Sequence, residues 1–312
     1  MSDNVAQFYR RFRPTSFDQL KGQDAAVRVL QGFLDRKAVP HVLLLSGDSG
    51  TGKTTAARIL KEELGCHEVD FSEVNAADSR GIDSVRDIRR AVGLAPMRGK
   101  CRVWLIDEVH AWTRDAQTAC LKVLEDTPKH AYFFLCTTDP DKLLRTILTR
   151  CVHVKMSAIP HKLIEELLTE TCERAEIEVA PNVLEHIAEV SLGSAREALN
   201  LLEKVAGEPN EKRALAMIAG HESTRRQAFD LVKMLLYYNG KWSEIVKVIA
   251  DIPTTEHEKF RHLVLACANR EMLKGGKSAS RGFAVARAFA EPWYECKEVG
   301  LAASCYEVCY ER

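Results

Sequence analysis

Residues 42–54 read Val-Leu-Leu-Leu-Ser-Gly-Asp-Ser-Gly-Thr-Gly-Lys-Thr, an apolar run that passes directly into a glycine-rich loop. Gly47, Gly52, Lys53 and Thr54 satisfy G-x-x-x-x-G-K-[ST]. Val42–Leu45 has the character of a short buried strand, and Thr55–Leu64 has helical apolar spacing, so the loop stands where the motif requires it. Glycines let the backbone wrap a phosphate with its N–H groups pointing inward, beside the positive end of a helix. Gly47, Asp48, Ser49, Gly50, Thr51, Gly52 and Thr55 are the predicted backbone cradle. Lys53 adds a point charge for the β- and γ-phosphates, and Thr54 offers a hydroxyl to Mg²⁺. The chain is expected to bind a nucleoside triphosphate.

A second apolar run, Val103-Trp-Leu-Ile, ends in the adjacent carboxylates Asp107 and Glu108. Downstream of a P-loop, Asp107 is placed to hold Mg²⁺ through water and Glu108 to polarise the water that attacks the γ-phosphate. His110 follows and is assigned no role. Phe133-Phe-Leu-Cys ends another run in Thr137 and Thr138. Strand ends gather beside the phosphates in such a sheet, so Thr137 is a candidate for the γ-phosphate or the lytic water. A threonine-rich turn before Asp139-Pro140 explains it equally well.

Strand candidates at His41–Leu45, Val69–Val74, Arg102–Ile106, Tyr132–Thr137 and Val152–Lys155 alternate with amphipathic segments, predicting a parallel sheet covered on both faces. From Pro160 onward strand signals stop. Helices are expected at His161–Ala175, at Pro181–Ser191 and from Ser194 to about Val205, with a break at Gly207-Glu-Pro-Asn. An all-helical block from about Thr224 contains Phe229–Leu236 and Phe260–Glu271, with turn signals at Asn239-Gly240 and Gly275-Gly276.

At 312 residues, two or three domains are expected. Lysine plus arginine balance aspartate plus glutamate at 44 each, so nucleic-acid contact requires a local basic surface rather than a global field. No apolar run is long enough to span a membrane and Met1-Ser-Asp-Asn-Val carries no signal-peptide pattern, which predicts a cytosolic location. Ten cysteines without a C-x-x-C pair suggest reduced, buried thiols. Cys296, Cys305 and Cys309 lack an evident fourth ligand, so no structural zinc is predicted.

At this point a resemblance becomes specific. Asp83-Ser-Val-Arg-Asp-Ile-Arg, Ala95-Pro-Met-Arg-Gly-Lys, Leu105-Ile-Asp-Glu-Val-His, Leu121-Lys-Val-Leu-Glu, Thr137-Thr-Asp-Pro-Asp-Lys-Leu and Ile147-Leu-Thr-Arg-Cys resemble the AAA+ clamp-loader ATPases. They look like the gamma/tau subunits of bacterial DNA polymerase III. Asn75-Ala-Ala-Asp-Ser-Arg-Gly-Ile-Asp is nearer the small subunits of replication factor C. Phe8-Tyr-Arg-Arg-Phe-Arg-Pro is similar to the family's amino-terminal segment. The match is dense over about residues 8–205; the rest fits only by length and helical character.

The resemblance implies an AAA+ ATPase domain over 1–158, a helical lid over 159–219 and a helical collar over 220–312. It implies ATP and Mg²⁺ as cofactors, and a sliding clamp, primer–template DNA and other loader subunits, in a pentamer, as partners. Thr149-Arg150-Cys151 sits where the family has Ser-Arg-Cys, making Arg150 an arginine finger for a neighbouring subunit's ATP. Gly193-Ser-Ala-Arg196 is similar to the lid's sensor-2 motif, making Arg196 a γ-phosphate contact in cis. Thr137 matches sensor 1, and Tyr9 and Lys21 align with positions that touch the adenosine mainly through backbone. Without the resemblance, Arg150 and Arg196 are ordinary surface or salt-bridge arginines. Two departures stand out: the four-cysteine module after the P-loop helix is missing, with only Cys66 in that region, and so is the long carboxy-terminal extension of tau. A minimal loader subunit, or a bacteriophage counterpart, is expected.

Arg80, Arg86, Arg89, Arg90, Arg98, Lys100 and Arg114 form the basic cluster. Arg86 and Arg90 share a helix face, and Thr113 opens the helix Arg114–Glu125 with free backbone N–H groups for a phosphate. Arg80, Arg86, Arg90, Thr113 and Arg114 are therefore the DNA candidates, against a solvated face paired with Asp83, Asp87 and Asp115. With no base-reading motif visible, binding is expected through phosphates and to be salt-dependent. Two rivals stay open: another AAA+ motor of DNA metabolism, such as a branch-migration helicase, and a loader subunit that binds ATP as a scaffold without hydrolysing it.

Overall fold

The computed structural model describes residues 7–219, 224–237, 242–250, 252, 257–275, 277–291 and 297–310. Asn239, Gly240, Gly276 and Cys296 lie outside them. Internal contacts divide the chain into two units, Met1–Leu215 and Ala216–Arg312.

Five parallel strands build the sheet of the first unit: β1 (Val42–Ser46), β2 (Phe71–Asn75), β3 (Arg102–Asp107), β4 (Ala131–Thr137) and β5 (Val152–Lys155), in spatial order β2-β3-β4-β1-β5. After β1 the chain crosses to the far edge, works back to β4, and then places β5 on the other side of β1. The strand order therefore reverses at β1, where ligands of open α/β sheets collect at the carboxyl ends.

Side-chain alternation along the strands separates two cores. Leu43, Leu45, Val103, Leu105, Phe134 and Cys136 pack into one. Val42, Leu44, Trp104, Ile106, Phe133 and Leu135 pack into the other. Trp104 stacks on Phe133 across β3 and β4 with ring centroids 5.2 Å apart. Because both faces are covered, these strands read as unbroken apolar runs rather than alternating ones.

The helices of this unit are α1 (Phe8–Arg11), α2 (Asp24–Asp35), α3 (Lys53–Glu63), α4 (Ile82–Val92), α5 (Arg114–Glu125), the short α6 (Arg145–Leu148), α7 (His161–Ala175), α8 (Pro181–Val190) and α9 (Ala195–Val205). Pro181 opens α8 at a position where its missing N–H costs nothing. Ser194 caps α9 by accepting from Glu197 N–H at 3.2 Å.

The second strand prediction, Val69–Val74, shifts at its start. Glu68–Asp70 is a 3₁₀ turn and the strand begins at Phe71. The Asp70 carboxylate accepts backbone N–H bonds from Met97 (2.6 Å), Arg98 (2.9 Å) and Gly99 (2.7 Å), which commits it to the loop before β3. The Gly99, Met97 and Arg98 donors hold its pKa down to about 2.

The second unit contains α11 (Thr224–Tyr237), α12 (Trp242–Ala250), α13 (His257–Lys274), α14 (Lys277–Ala288) and α15 (Lys297–Tyr310); α10 (Glu211–Ala219) holds the division itself. Leu231, Leu235, Phe260, Val264, Val285, Phe289, Leu301 and Cys305 share one apolar core. Among the described residues of this unit the regular elements are all helices. No helix among them is long and apolar enough to cross a membrane, and the nine described cysteines are free thiols.

Candidate nucleotide site

The loop between β1 and α3 is shaped by positions that reject a side chain. Gly47 has φ +148°, and a Cβ there would meet the Met156 carbonyl oxygen at 2.2 Å. Gly50 has φ +76°, and its Cβ would meet Ser194 Oγ at 2.0 Å. Gly50 O also accepts from Ala195 N–H at 3.1 Å, so the loop is seated on the start of α9. Gly47 N–H donates to Thr137 O at 3.2 Å, which ties the loop to the end of β4.

Lys53 is buried at the first turn of α3, and its ammonium donates to Gly47 O and Asp48 O, both at 2.9 Å. Burial lowers its pKa, against the pull of the Glu108 and Asp107 carboxylates. With those carbonyls as its partners, the ammonium closes the loop from inside, and a phosphate oxygen is the acceptor that would replace them. Thr54 Oγ1 donates to Asp107 Oδ2 at 3.0 Å. A hydroxyl and a carboxylate meeting at the mouth of a phosphate loop are the hard oxygen donors that suit Mg²⁺.

The cavity over the loop is lined by Ser49–Thr55, Asp107, Glu108 and Arg196, and also by Tyr9, Lys21 and the aliphatic Leu20, Ile159, Leu167 and Leu199. A lining that combines a phosphate loop and charged groups with aliphatic walls matches a nucleoside polyphosphate. The Arg196 guanidinium lies 5.7 Å from the Tyr9 ring centroid, and Lys21 pairs with Glu170 at 2.6 Å. Thus Tyr9, Lys21, the loop, Asp107, Glu108 and Arg196 converge.

Arg150 and Thr137 do not line this cavity. Arg150 pairs with Glu125 and donates to Thr146 O at 2.7 Å. Thr137 Oγ1 is fully buried, accepts from Asp139 N–H at 3.0 Å, and lies 2.9 Å from His110 Nδ1.

Two participants escaped the sequence reading. Arg13 lines the cavity; burial and the Arg58 guanidinium lower its pKa. The only cue was its place in Phe12-Arg13-Pro14. Thr138 Oγ1 donates to Glu108 Oε2 at 3.2 Å, a contact no local pattern announces.

Among the DNA candidates, Thr113 N–H donates to Arg80 O at 3.0 Å, which brings Arg80 beside the exposed start of α5 at Arg114. Thr113 Oγ1 caps that helix by accepting from Ala116 N–H at 3.2 Å. Arg86 pairs with Asp83 at 2.8 Å and Arg90 with Asp87 at 3.2 Å, the paired solvated face.

Known proteins are similar to this chain in sequence and in fold. The family model of the DNA polymerase III delta subunit matches residues 69–160. DNA polymerase III subunit tau of Bacillus subtilis is 35% identical over 217 residues, covering 63% of this chain and 38% of the relative. DNA polymerase III subunit gamma of Buchnera aphidicola is 31% identical over 257 residues, covering 74% of this chain and 70% of that protein. The chain belongs to the DNA polymerase III gamma/tau family. Against longer gamma/tau members it spans only part of their length, 38% of the B. subtilis protein. Among solved structures, RuvB of Thermotoga maritima superposes with a TM-score of 0.60 at 21% identity, covering 82% of this chain and 91% of that one. At that identity the gamma/tau chain shares the AAA+ fold with RuvB and nothing narrower.

Proposed function

We propose that this chain is an ATP-hydrolysing subunit of a sliding-clamp loader, which opens a clamp and places it on primer–template DNA. The observation that carries the reading is the meeting of Lys53, Thr54, Asp107 and Glu108 under one cavity in a gamma/tau-family chain.

In this reading the loop N–H groups and Lys53 bind the β- and γ-phosphates, and Tyr9 and Lys21 bound the adenosine end. Thr54 and Asp107 would hold Mg²⁺, which when bound offsets phosphate charge. Glu108 takes the proton of the attacking water, a role worth about 10²–10⁴-fold in rate. Arg196 contacts the γ-phosphate in cis. Arg150, outside its own cavity, would serve the ATP of an adjacent subunit and contribute about 10³-fold or more. Residues 1–158, 159–219 and 220–312 would act as ATPase domain, lid and collar, the last joining subunits into a pentamer.

The described part of Ala216–Arg312 supports a loader over a branch-migration motor, because its regular elements are all helices, as a collar requires. The test is ATPase activity with and without primed DNA and the cognate clamp. Stimulation by both is expected; a rate indifferent to both would remove the loader reading.

A further inference from the structure

His110, two positions after Glu108, does not line the cavity itself. Glu108 has left-handed backbone torsions, φ 50° and ψ 42°, a conformation a glutamate adopts only when its surroundings impose it. That turn starts Val109–Ala111, closed by Ala111 N–H donating to Glu108 O at 2.7 Å, and folds His110 back toward the end of β4. His110 Nδ1 then lies 2.9 Å from Thr137 Oγ1 and 3.4 Å from Glu108 Oε2. The same Glu108 oxygen accepts from Thr138 Oγ1 at 3.2 Å.

The chemistry of these groups assigns the proton. An ionised carboxylate only accepts, so a ring nitrogen that serves Glu108 has to carry the proton. Thr137 Oγ1 has two lone pairs; one takes Asp139 N–H and the other is open to the imidazole. A ring protonated at Nδ1 suits both neighbours, donating to Thr137 Oγ1 at 2.9 Å with the Glu108 carboxylate 3.4 Å away.

We propose that His110 is a positioning residue: its Nδ1–H, with the Thr138 hydroxyl, sets the direction of the Glu108 carboxylate and links it to Thr137 at the end of β4. Fully buried Thr137 then influences hydrolysis through His110 rather than from within the cavity. The rate consequence rests on the ATPase reading above; the tautomer does not.

The test uses the whole chain and three variants of one position. His110→Ala removes the donor, His110→Asn places an amide N–H near Nδ1, and His110→Gln carries its amide one carbon further. Misorienting a catalytic group costs about 10²-fold at most for displacements near 1 Å, so His110→Ala should lower kcat about 10–100-fold. ATP Kd should stay within about threefold, His110→Asn should recover to within about fivefold of wild type, and His110→Gln should not. Nitrogen-15 spectra of histidine-labelled wild type should show protonated Nδ1 at His110 without nucleotide present. Equal rates for the Asn and Gln variants, a kcat for His110→Ala within twofold of wild type, or a neutral ring protonated only at Nε2 would each overturn the proposal. A wild-type chain that hydrolyses no ATP would defeat the ATPase reading and the rate claim together, while the tautomer result still stands or falls alone.

Discussion

Thr54 and Asp107, 53 positions apart in sequence, are joined by a 3.0 Å hydrogen bond from hydroxyl to carboxylate. Two parallel strands, β1 and β3, deliver them to the same edge although β4 lies between. Thr54→Val removes that donor while keeping the shape of the side chain. The variant should retain ATP binding measured in EDTA and lose at least tenfold of the affinity gained on adding Mg²⁺, a charge-assisted bond being worth about 1.5–3 kcal/mol. Titration of a fluorescent ATP analogue with and without Mg²⁺ checks this.

Gly47→Ala should damage the loop from outside the chemistry. Its Cβ would stand 2.2 Å from the Met156 carbonyl oxygen at φ +148°, and a backbone atom cannot rotate away. Strain of this kind costs about 1–3 kcal/mol. Urea unfolding should show that loss, accompanied by weakened ATP binding.

Phe133→Ala should cost more stability than any change at the site. The ring is fully buried and stacked on Trp104, so truncation leaves a cavity under the centre of the sheet. Such truncations cost about 3–5 kcal/mol. The unfolding midpoint in guanidinium reads it directly.

Asp70 gives a pH signature. Its folded pKa, held to about 2, lies below the 3.8 of an unperturbed aspartate. Because the folded value is the lower one, its stabilisation is complete above about pH 4 and is lost as pH falls toward 2. Acid unfolding of Asp70→Asn, followed by circular dichroism, should therefore show a shallower loss of stability between pH 4 and 2 than wild type.

Arg150→Ala should leave ATP affinity within about threefold, because the side chain does not line its own chain's cavity, and reduce DNA-stimulated ATPase about 10³-fold or more. Loss of ATP binding in that variant would remove the trans-finger assignment. Steady-state phosphate release beside equilibrium binding separates the outcomes.

The nucleotide loop was readable because its determinants are contiguous: glycines, lysine and hydroxyl occupy one strand-loop-helix segment. The strands were readable for a related reason, since burial on both faces leaves runs such as Val103–Ile106 uninterrupted. What escaped depends on distant partners. The start of β2 is set by an Asp70 carboxylate bonded to N–H groups 27–29 positions away. His110 meets Thr137 across 27 positions and a strand crossing, so no periodicity could pair them. Arg86 and Arg90 show the reverse: their i, i+3 acids were visible in sequence, and the structure forms both pairs.

The central claim is that Glu108 completes a site that hydrolyses the ATP held by the Gly47–Thr54 loop. Paired measurement of ATP Kd and single-turnover phosphate release on wild type and Glu108→Gln tests it most directly. The account predicts a Kd unchanged within about threefold and release slowed about 10²–10⁴-fold. Release by Glu108→Gln at the wild-type rate, or a wild-type chain that does not bind ATP, would contradict it.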